Sequence, residues 1–159
     1  VLSLPVNCRP CYNEDAVTLR VIPGPHQHRF TGEALATFTG NPYILSTRSD
    51  RMGYRLNGAA LAHCHGADLV SQGMMLGEIQ VPGDGQPIVM MPDHPTTGGY
   101  TCIGTVIRTD LPLLAQAQPE RTEIRFDWTD VETAQILSRQ MINTIDGGIQ
   151  KEEMEWLYL

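Results

Sequence analysis

The stretch IQVPGDGQPIVMMPDHPTTGGYTCIGTVI, residues 79–107, contains two apolar runs and two polar links that include glycine. The runs at 87–91 and 100–107 are rich in Val and Ile and are bounded by turn residues, which predicts β-strands. Proline lacks a backbone donor and fixes its own φ, whereas glycine accepts positive φ. The segment PDHPTTGG, residues 92–99, is therefore predicted to be a stiff loop that displays polar groups.

Two neighbouring residues of this loop, Asp93 and His94, are the candidate acid–base pair. An imidazole exchanges a proton near neutral pH, and an adjacent carboxylate can orient it or stabilise its charge. The alternative is that Asp93 only caps the loop, by accepting a hydrogen bond from the N–H of Thr96 or Thr97. Both interpretations are open at the level of the sequence.

Candidate substrate-binding residues share the ability to form a hydrogen bond with a substrate or to stack against it. They are Arg51, Gln80, Gln86, Thr96, Thr97, Gly98, Gly99 and Tyr100. The N–H groups of Gly98 and Gly99 suit an anionic oxygen, although a plain hairpin turn would explain the same two glycines. Arg51 suits either a substrate carboxylate or a structural salt bridge with Asp50 or another acid.

The composition limits the classes of partner. Eleven basic and eighteen acidic residues give a net charge of −7, which argues against a nucleic-acid partner. No apolar run is long enough to span a bilayer, so no membrane association is expected. The 159 residues suffice for one domain with a hydrophobic core.

Four cysteines suggest free thiols in a reducing compartment, which predicts a cytoplasmic protein. The alternative is a zinc site built from Cys8, Cys11 and the His-Cys-His triplet at 63–65. There is no second C-x₂-C pair, and neighbouring side chains of an extended triplet point to opposite faces. No metal is therefore predicted.

Turn signals recur every eight to twelve residues with short β-type runs between them, which is typical of a β-sandwich or barrel. Asn57-Gly58 is a strong hairpin signal among them. The interpretation is a mainly β domain over residues 17–145, preceded by an irregular lead-in at 1–16 and followed by a tail at 146–159.

Two or three short helices interrupt this pattern. Thr31 is the expected N-cap of a helix over 31–38, and Asp110 that of a helix over 111–116. The sequence TDVE at 129–132 is a capping box, and glycines 147–148 are expected to end the helix that it begins. The apolar face of that helix has the spacing Ala134, Leu137, Met141 and Ile145.

Longer motifs carry a family resemblance. They are RVIPGPH at 20–26, SDRMGYRLNG at 49–58, GEIQVPGDGQPIVMMPDHPTTGGY at 77–100, and the IRTDLP and LAQ pieces of 107–116. Together they resemble the allophanate-hydrolase subunit 2 family. This family includes the C subunit of prokaryotic 5-oxoprolinase, the antagonist of a sporulation kinase inhibitor, and the carboxyltransferase region of biotin-dependent urea carboxylase. The resemblance runs from about Val17 to Ile145, about the C-terminal half of the usual family unit.

The resemblance implies a cyclophilin-like β-barrel that works with a homologous subunit-1 protein and with the N-terminal half of the family unit. It implies a small amide or lactam substrate. In one branch the assembly uses ATP to open 5-oxoproline to glutamate; in another it transfers a carboxyl group from carboxybiotin to urea. No cofactor is expected on this chain itself: ATP belongs to the assembly, and biotin to the carboxyltransferase branch. The alternative is a non-catalytic antagonist that binds a homologous kinase-inhibitor subunit.

The chain departs from the family pattern at several positions. Thr101 stands where the family usually has proline after GGY, and it is expected to loosen the entry into the strand. The C-x₂-C at 8–11 and the triplet at 63–65 are not features of the family either. None of these departures removes a titratable group from the loop at 92–99.

Overall fold

The computed structural model describes the backbone of residues 15–157 and the side chains of residues 15–147. Its elements are β1 Ala16–Pro23, α1 Gly32–Gly40, β2 Tyr43–Leu45, β3 Gly53–Asn57, β4 Asp68–Gly73, β5 Glu78–Val81, β6 Ile88–Met90, β7 Thr97–Val106, α2 Leu111–Ala115, β8 Glu123–Trp128 and α3 Val131–Leu157. A short 3-10 helix, Gln27–Arg29, follows β1.

Seven of these strands close into a barrel, in the order β1-β8-β2-β3-β6-β5-β7 and back to β1. β1 and β8 are parallel, with Ala16 opposite Glu123, and the other pairs in the ring are antiparallel. β4 stands outside the ring and pairs with β7. The predicted mainly β barrel is confirmed, and the helices number three within residues 15–157.

The barrel interior is filled by the alternate side chains of each strand, as a half-buried sheet requires. α1 packs against β8, where the rings of Phe38 and Phe126 stack with centroids 4.4 Å apart. Thr31 caps α1 as predicted, because its hydroxyl accepts a hydrogen bond from the N–H of Ala34 at 3.0 Å.

β5 departs from simple alternation, since all four of its residues are buried. Ile79 and Val81 belong to the core cluster, so Glu78 and Gln80 point to the outer face of the barrel wall. Both polar residues are nevertheless 5% exposed or less. Part of the chain therefore covers the outer face of β5.

Asn57-Gly58 does not form the predicted hairpin. β3 pairs with β2 and β6, whereas the next strand in sequence, β4, pairs with β7. Gly58 instead lies against the ring of Tyr43, where an added Cβ would collide at 2.5 Å. The glycine is needed for this close approach and not for a two-residue turn.

The caps predicted for the other two helices are also different. The Asp110 carboxylate forms no cap; it accepts hydrogen bonds from the N–H and Nε of Arg20 at 2.8 and 2.9 Å. At α3 the capping carboxylate is Asp130, which accepts from the N–H of Thr133 at 2.7 Å, in place of the predicted Thr129. Asp110 thus bonds a distant arginine in place of its own helix, whereas Asp130 caps α3 one position later than the predicted residue.

α3 is longer than predicted. It continues through the glycines at 147–148 to Leu157, so the expected boundary between domain and tail at 145–146 falls inside a helix. The predicted apolar face is half-buried at Ala134, Leu137, Met141 and Ile145. Within residues 15–157, none of the helices combines the length and apolar character that crossing a membrane requires.

Candidate functional site

The cover over β5 is the ribbon formed by β4 and the first residues of β7. Gln72 lies opposite Gly98, and Asp68 opposite Tyr100, with an irregular register between these pairs. An added Cβ at Gly98 would meet the side chains of Met74 and Gln80. The ribbon therefore lies directly over the outer face of β5, and Gly98 is the point of closest approach.

A cavity of about 310 Å³ opens between this ribbon and the barrel wall. Its lining residues are Asp50, Met52, Gly53, Arg55, Met74, Gln80, Ile88, Met90, Pro95, Thr97, Gly98, Gly99 and Tyr100. Three methionines and an isoleucine make most of the wall apolar, and a few polar groups converge on it. Concave apolar sites with sparse polar groups are the usual form of small-molecule sites.

Gln80 is the buried polar group of this cavity, at 3% exposure. Its Nε2 donates to Glu78 Oε1 at 3.3 Å and to Met74 Sδ at 2.9 Å. The Glu78 carboxylate fixes the amide orientation, because the flipped amide would bring two oxygens together. None of the described residues donates a hydrogen bond to Gln80 Oε1, and the side chains described include no enclosed, unsatisfied oxygen. Oε1 is therefore open to the cavity as an acceptor.

Glu78 positions Gln80 from behind the cavity wall. Its Oε2 accepts a hydrogen bond from the N–H of Met75 at 3.1 Å, and its Oε1 receives the Gln80 amide. Sequence reasoning missed Glu78. The available signal was its place two residues before Gln80 in a predicted strand, since strand residues two apart share a face.

Arg55 was missed as well. Arg55 and Ile88 are paired across β3 and β6, and Ile88 and Gln80 are paired across β6 and β5, so the three side chains share one face. Among the lining residues Arg55 is the one cation. Asp50 is the lining anion, and its Oδ1 already accepts from the N–H groups of Met52 and Gly53 at 2.8 and 3.2 Å.

His26 and Cys102 form a second group of titratable side chains, beside Glu78 on the side of β7. The N–H of Cys102 donates to Nδ1 of His26 at 3.1 Å, so the proton of the neutral ring is on Nε2, the nitrogen that faces the amide of Gln72. Burial lowers the pKa of His26, and the charge of His28 lowers it further. Burial, and then the charge of Glu78, raises the pKa of the Cys102 thiol to about 12. Cys102 is thus a protonated thiol at neutral pH and no nucleophile.

Half of the residues singled out from the sequence line the cavity: Gln80, Thr97, Gly98, Gly99 and Tyr100. Thr97, Gly98 and Gly99 belong to β7, so the predicted loop ends at residue 96 and not at 99. Gly98 is paired with Gln72 of β4 in the ribbon. The two glycines let this part of β7 lie close to its neighbours: a Cβ at Gly98 would meet the side chains of Met74 and Gln80, and one at Gly99 would lie 3.0 Å from the carbonyl oxygen of Leu69 in β4.

The other half lies outside the lining. The Asp93 carboxylate forms an ion pair with Arg51, with 2.7 Å between Oδ2 and Nε, and both side chains are at least half exposed. His94 Nδ1 lies 2.7 Å from the carbonyl oxygen of Pro95, which does line the cavity. The two candidate acid–base side chains thus diverge.

Gln86 and Thr96 complete this second half. The side chain of Gln86 accepts from the N–H of Gly58 at 2.9 Å and donates to its carbonyl at 3.2 Å. The carbonyl of Thr96 accepts from the N–H of Met74 and so joins the end of β4 to the loop.

Thr101 does not loosen the strand, contrary to the expectation from its place in the motif. It is fully buried in β7, and its N–H donates to the carbonyl of Ala67 at 3.0 Å, which a proline could not do. Its hydroxyl donates to the carbonyl of Val81 at 3.1 Å and accepts from Nε2 of His63 at 2.8 Å. His63 is thereby engaged in packing.

The described residues contain no group of three or more His, Cys, Asp or Glu side chains that could hold a metal ion. Cys64 is a free, exposed thiol. The zinc alternative also required Cys8 and Cys11, which lie outside the described residues.

Comparison with known proteins connects this geometry to a family. Residues 3–128 match the family model of the carboxyltransferase domain, subdomain A and B. The C subunit of 5-oxoprolinase from Escherichia coli is 45% identical over 98 residues, which are 62% of this chain and 32% of that protein. The corresponding protein of Haemophilus influenzae is 36% identical over 122 residues, 77% of this chain and 39% of that protein. The chain thus spans between about a third and two fifths of the length of these relatives.

Among solved structures, the urea amidolyase of Kluyveromyces lactis matches with a TM-score of 0.84 at 24% identity, over 91% of this chain and 9% of that one. At this level of identity the match supports the barrel fold alone. It agrees with the closed ring of strands described above.

Proposed function

Because the chain belongs to the family of carboxyltransferase domains, subdomain A and B, we propose that it is a component of a multi-subunit 5-oxoprolinase. Such an assembly would couple ATP hydrolysis to the opening of a lactam, 5-oxoproline, to glutamate. Identities of 45% and 36% to the C subunits of two bacterial 5-oxoprolinases support this branch over the urea-type carboxyltransferases. A putative urea carboxylase of Emericella nidulans is more distant, at 28% identity.

The observation that carries the proposal is the open acceptor Gln80 Oε1 in an apolar cavity. A lactam presents one N–H donor and an apolar ring, which match this acceptor and the methionine walls. Because Glu78 holds the amide of Gln80, the acceptor is already oriented when the substrate arrives. The role assigned to this chain is therefore to bind and orient the amide.

Several of the remaining site residues keep the roles predicted from the sequence. Thr97, Gly99 and Tyr100 are proposed to contact the substrate from the ribbon side. Asp93 and His94 are proposed as acid and base in the loop next to Pro95, with Arg51 as the ion-pair partner of Asp93.

ATP is assigned to another part of the assembly. A triphosphate requires several donors and cations around its oxygens, and the cavity offers the single guanidinium of Arg55 among apolar walls. The residues present therefore do not fit this nucleotide. In the carboxyltransferase branch, the ureido group of biotin carries N–H donors like those of a lactam, and Gln80 would suit it equally.

The proposed partners are a homologous subunit-1 protein and the rest of the family unit. An apolar groove supports an interface: it lies between β7 and α3, and exposed Met75, Leu76 and Val131 line it. The same groove favours the alternative function, in which the chain acts without catalysis by binding a homologous kinase-inhibitor subunit.

Reconstitution of the assembly tests the proposal. We expect ATP-dependent release of glutamate from 5-oxoproline only when this chain is combined with the subunit-1 protein and the other components, and no activity from the chain alone. Undiminished glutamate release when the chain is omitted would overturn the catalytic proposal. Tight binding to the subunit-1 protein without turnover in any combination would favour the antagonist.

A further inference from the structure

Arg55, Ile88 and Gln80 form one transverse row on the outer face of three adjacent strands. Arg55 is opposite Ile88 across β3 and β6, and Gln80 is opposite Ile88 across β6 and β5. Neighbouring strands are about 4.8 Å apart, which places the Cα atoms of Arg55 and Gln80 about 10 Å apart. The two side chains thus line the same cavity from either side of the apolar side chain of Ile88.

The guanidinium of Arg55 has no anionic partner among the described residues. Its backbone is fixed by hydrogen bonds with Ser49 and Ser46, so the position of the side-chain base is well defined. The carboxylate of Asp50, the other charged lining group, caps the turn before β3. The cavity thus holds an unpaired cation on a hydrogen-bonded strand at one end and an oriented amide acceptor at the other.

We propose that Arg55 determines specificity, by binding a carboxylate of the substrate while Gln80 Oε1 accepts its amide N–H. The site then selects a cyclic amide that carries a carboxylate on the carbon next to the ring nitrogen, and it discriminates against urea and neutral lactams. This inference rests on the proposed function and adds the recognition of charge to it. The flat guanidinium offers two parallel donors to a carboxylate, which a lysine could not match.

The floor of the row explains why both ends are needed. A five-membered lactam ring would lie on Ile88 and Met90, with its N–H toward Gln80 and its carboxylate toward Arg55. Urea has N–H donors for Gln80 but no anion for Arg55 and no apolar face for Ile88. Urea would therefore leave both the cation and the apolar floor without a partner.

Calorimetric titration of the assembled complex tests the inference independently of turnover. The probes are 5-oxoproline, its neutral amide 5-oxoprolinamide, 2-pyrrolidinone and urea. We expect the wild-type complex to bind 5-oxoproline about 10- to 100-fold more tightly than the two neutral lactams, and urea more weakly still. Arg55→Ala should remove this preference by weakening 5-oxoproline alone, and Arg55→Lys should restore part of it.

Arg125→Ala is the matched control, because Arg125 is an exposed strand arginine on β8 whose partner is Glu123. It should leave all four affinities unchanged. Equal affinity of the wild-type complex for 5-oxoproline and its amide, an unchanged preference in Arg55→Ala, or no binding of any probe would each overturn the inference. Selective binding lost in Arg55→Ala but without lactam opening would support recognition by Arg55 and overturn the hydrolase proposal instead.

Discussion

The two polar links that flank β6, residues 82–87 and 91–96, each contain two prolines and one aspartate but have different surroundings. In the link before β6, Gln86 clamps the backbone of Gly58, and Gly85 packs against the backbone of Leu61. In the link after β6, Pro95 borders the cavity, and the strand that follows supplies more of its wall. The comparison teaches that proline and aspartate content does not distinguish a structural turn from a binding wall. The elements that pack beside each link make that distinction.

The largest expected effect concerns the carboxylates of the two links. If Asp93 exchanges a proton with the substrate, Asp93→Asn in the reconstituted assembly lowers kcat about 100-fold or more and leaves KM unchanged. Steady-state kinetics with 5-oxoproline measures this. The matched variant Asp84→Asn changes a carboxylate whose hydrogen-bond partner among the described residues is the N–H of Gln86 in the first link, so it should keep kcat. If Asp93→Asn retained kcat, the catalytic role would be contradicted, and Asp93 would have only a structural role as the ion-pair partner of Arg51.

Two glycines, Gly85 in the first link and Gly98 at the start of β7, should separate stability from binding. Gly85 has a φ of +73°, and an added Cβ would lie 2.8 Å from the backbone nitrogen of Leu61. Gly85→Ala should therefore lower the free energy of unfolding by about 2–3 kcal/mol, measured by urea denaturation. At Gly98 the nearest obstacle is the flexible side chain of Met74, so Gly98→Ala should change stability less while it narrows the cavity and raises KM.

Equal losses of stability in the two glycine variants would contradict this difference, because it rests on backbone at one site and a flexible side chain at the other.

The two glutamines provide a sharper pair. Gln80→Leu keeps the approximate volume but removes the acceptor, so KM for 5-oxoproline should rise about tenfold with a smaller change in kcat. Gln86→Ala should leave KM unchanged and lower the free energy of unfolding by about 1–2 kcal/mol, since two hydrogen bonds to Gly58 are lost. If Gln86→Ala raised KM more than Gln80→Leu does, the roles assigned to the two glutamines would be reversed.

The smallest expected effect is on the pH dependence of stability. Burial lowers the pKa of His26, beside the cavity wall, and of His63, beside the end of β5, from the ordinary value of 6.5. Below pH 6.5 the unfolded chain then binds more protons than the folded chain, so stability falls as the pH decreases. The loss is complete once the folded imidazoles are protonated.

Urea midpoints between pH 7.5 and 5.5 measure this slope. His63→Gln should flatten it in part, and a slope of the opposite sign would show that the folded state favours the charged imidazoles.

Much of the fold was predictable because its signals are local. Thr31 caps a helix with its own hydroxyl, and the apolar runs predicted as strands at 87–91 and 100–107 contain β6 and most of β7. The errors came from long-range competition. Asp110 accepts a hydrogen bond from Arg20, ninety residues away, and Gly58 packs against the ring of Tyr43. A local pattern contains no information about such partners.

The site was predictable only in part, for the same reason. Gln80 and the residues from Thr97 to Tyr100 line the cavity, and each was visible as a polar or aromatic group beside a turn. Arg55 gained its place through its register with Ile88, and Glu78 through the ribbon that buries it. The register between strands and the burial of one strand by another are properties of the assembled sheet, and the sequence did not indicate them.

The parallel pairing of β1 with β8 has a consequence for synthesis. β8, which closes the ring, is the last of the seven strands to be synthesised. It pairs with β1, the ring strand synthesised first, and Glu123 lies opposite Ala16. Until β8 leaves the ribosome, the nascent chain carries two unsatisfied strand edges, on β1 and on β2, next to its apolar interior. Such non-local closure is slow, and open edges invite pairing with other chains. Until β8 pairs with both edges, we therefore expect the newly made chain to be prone to pairing with other chains.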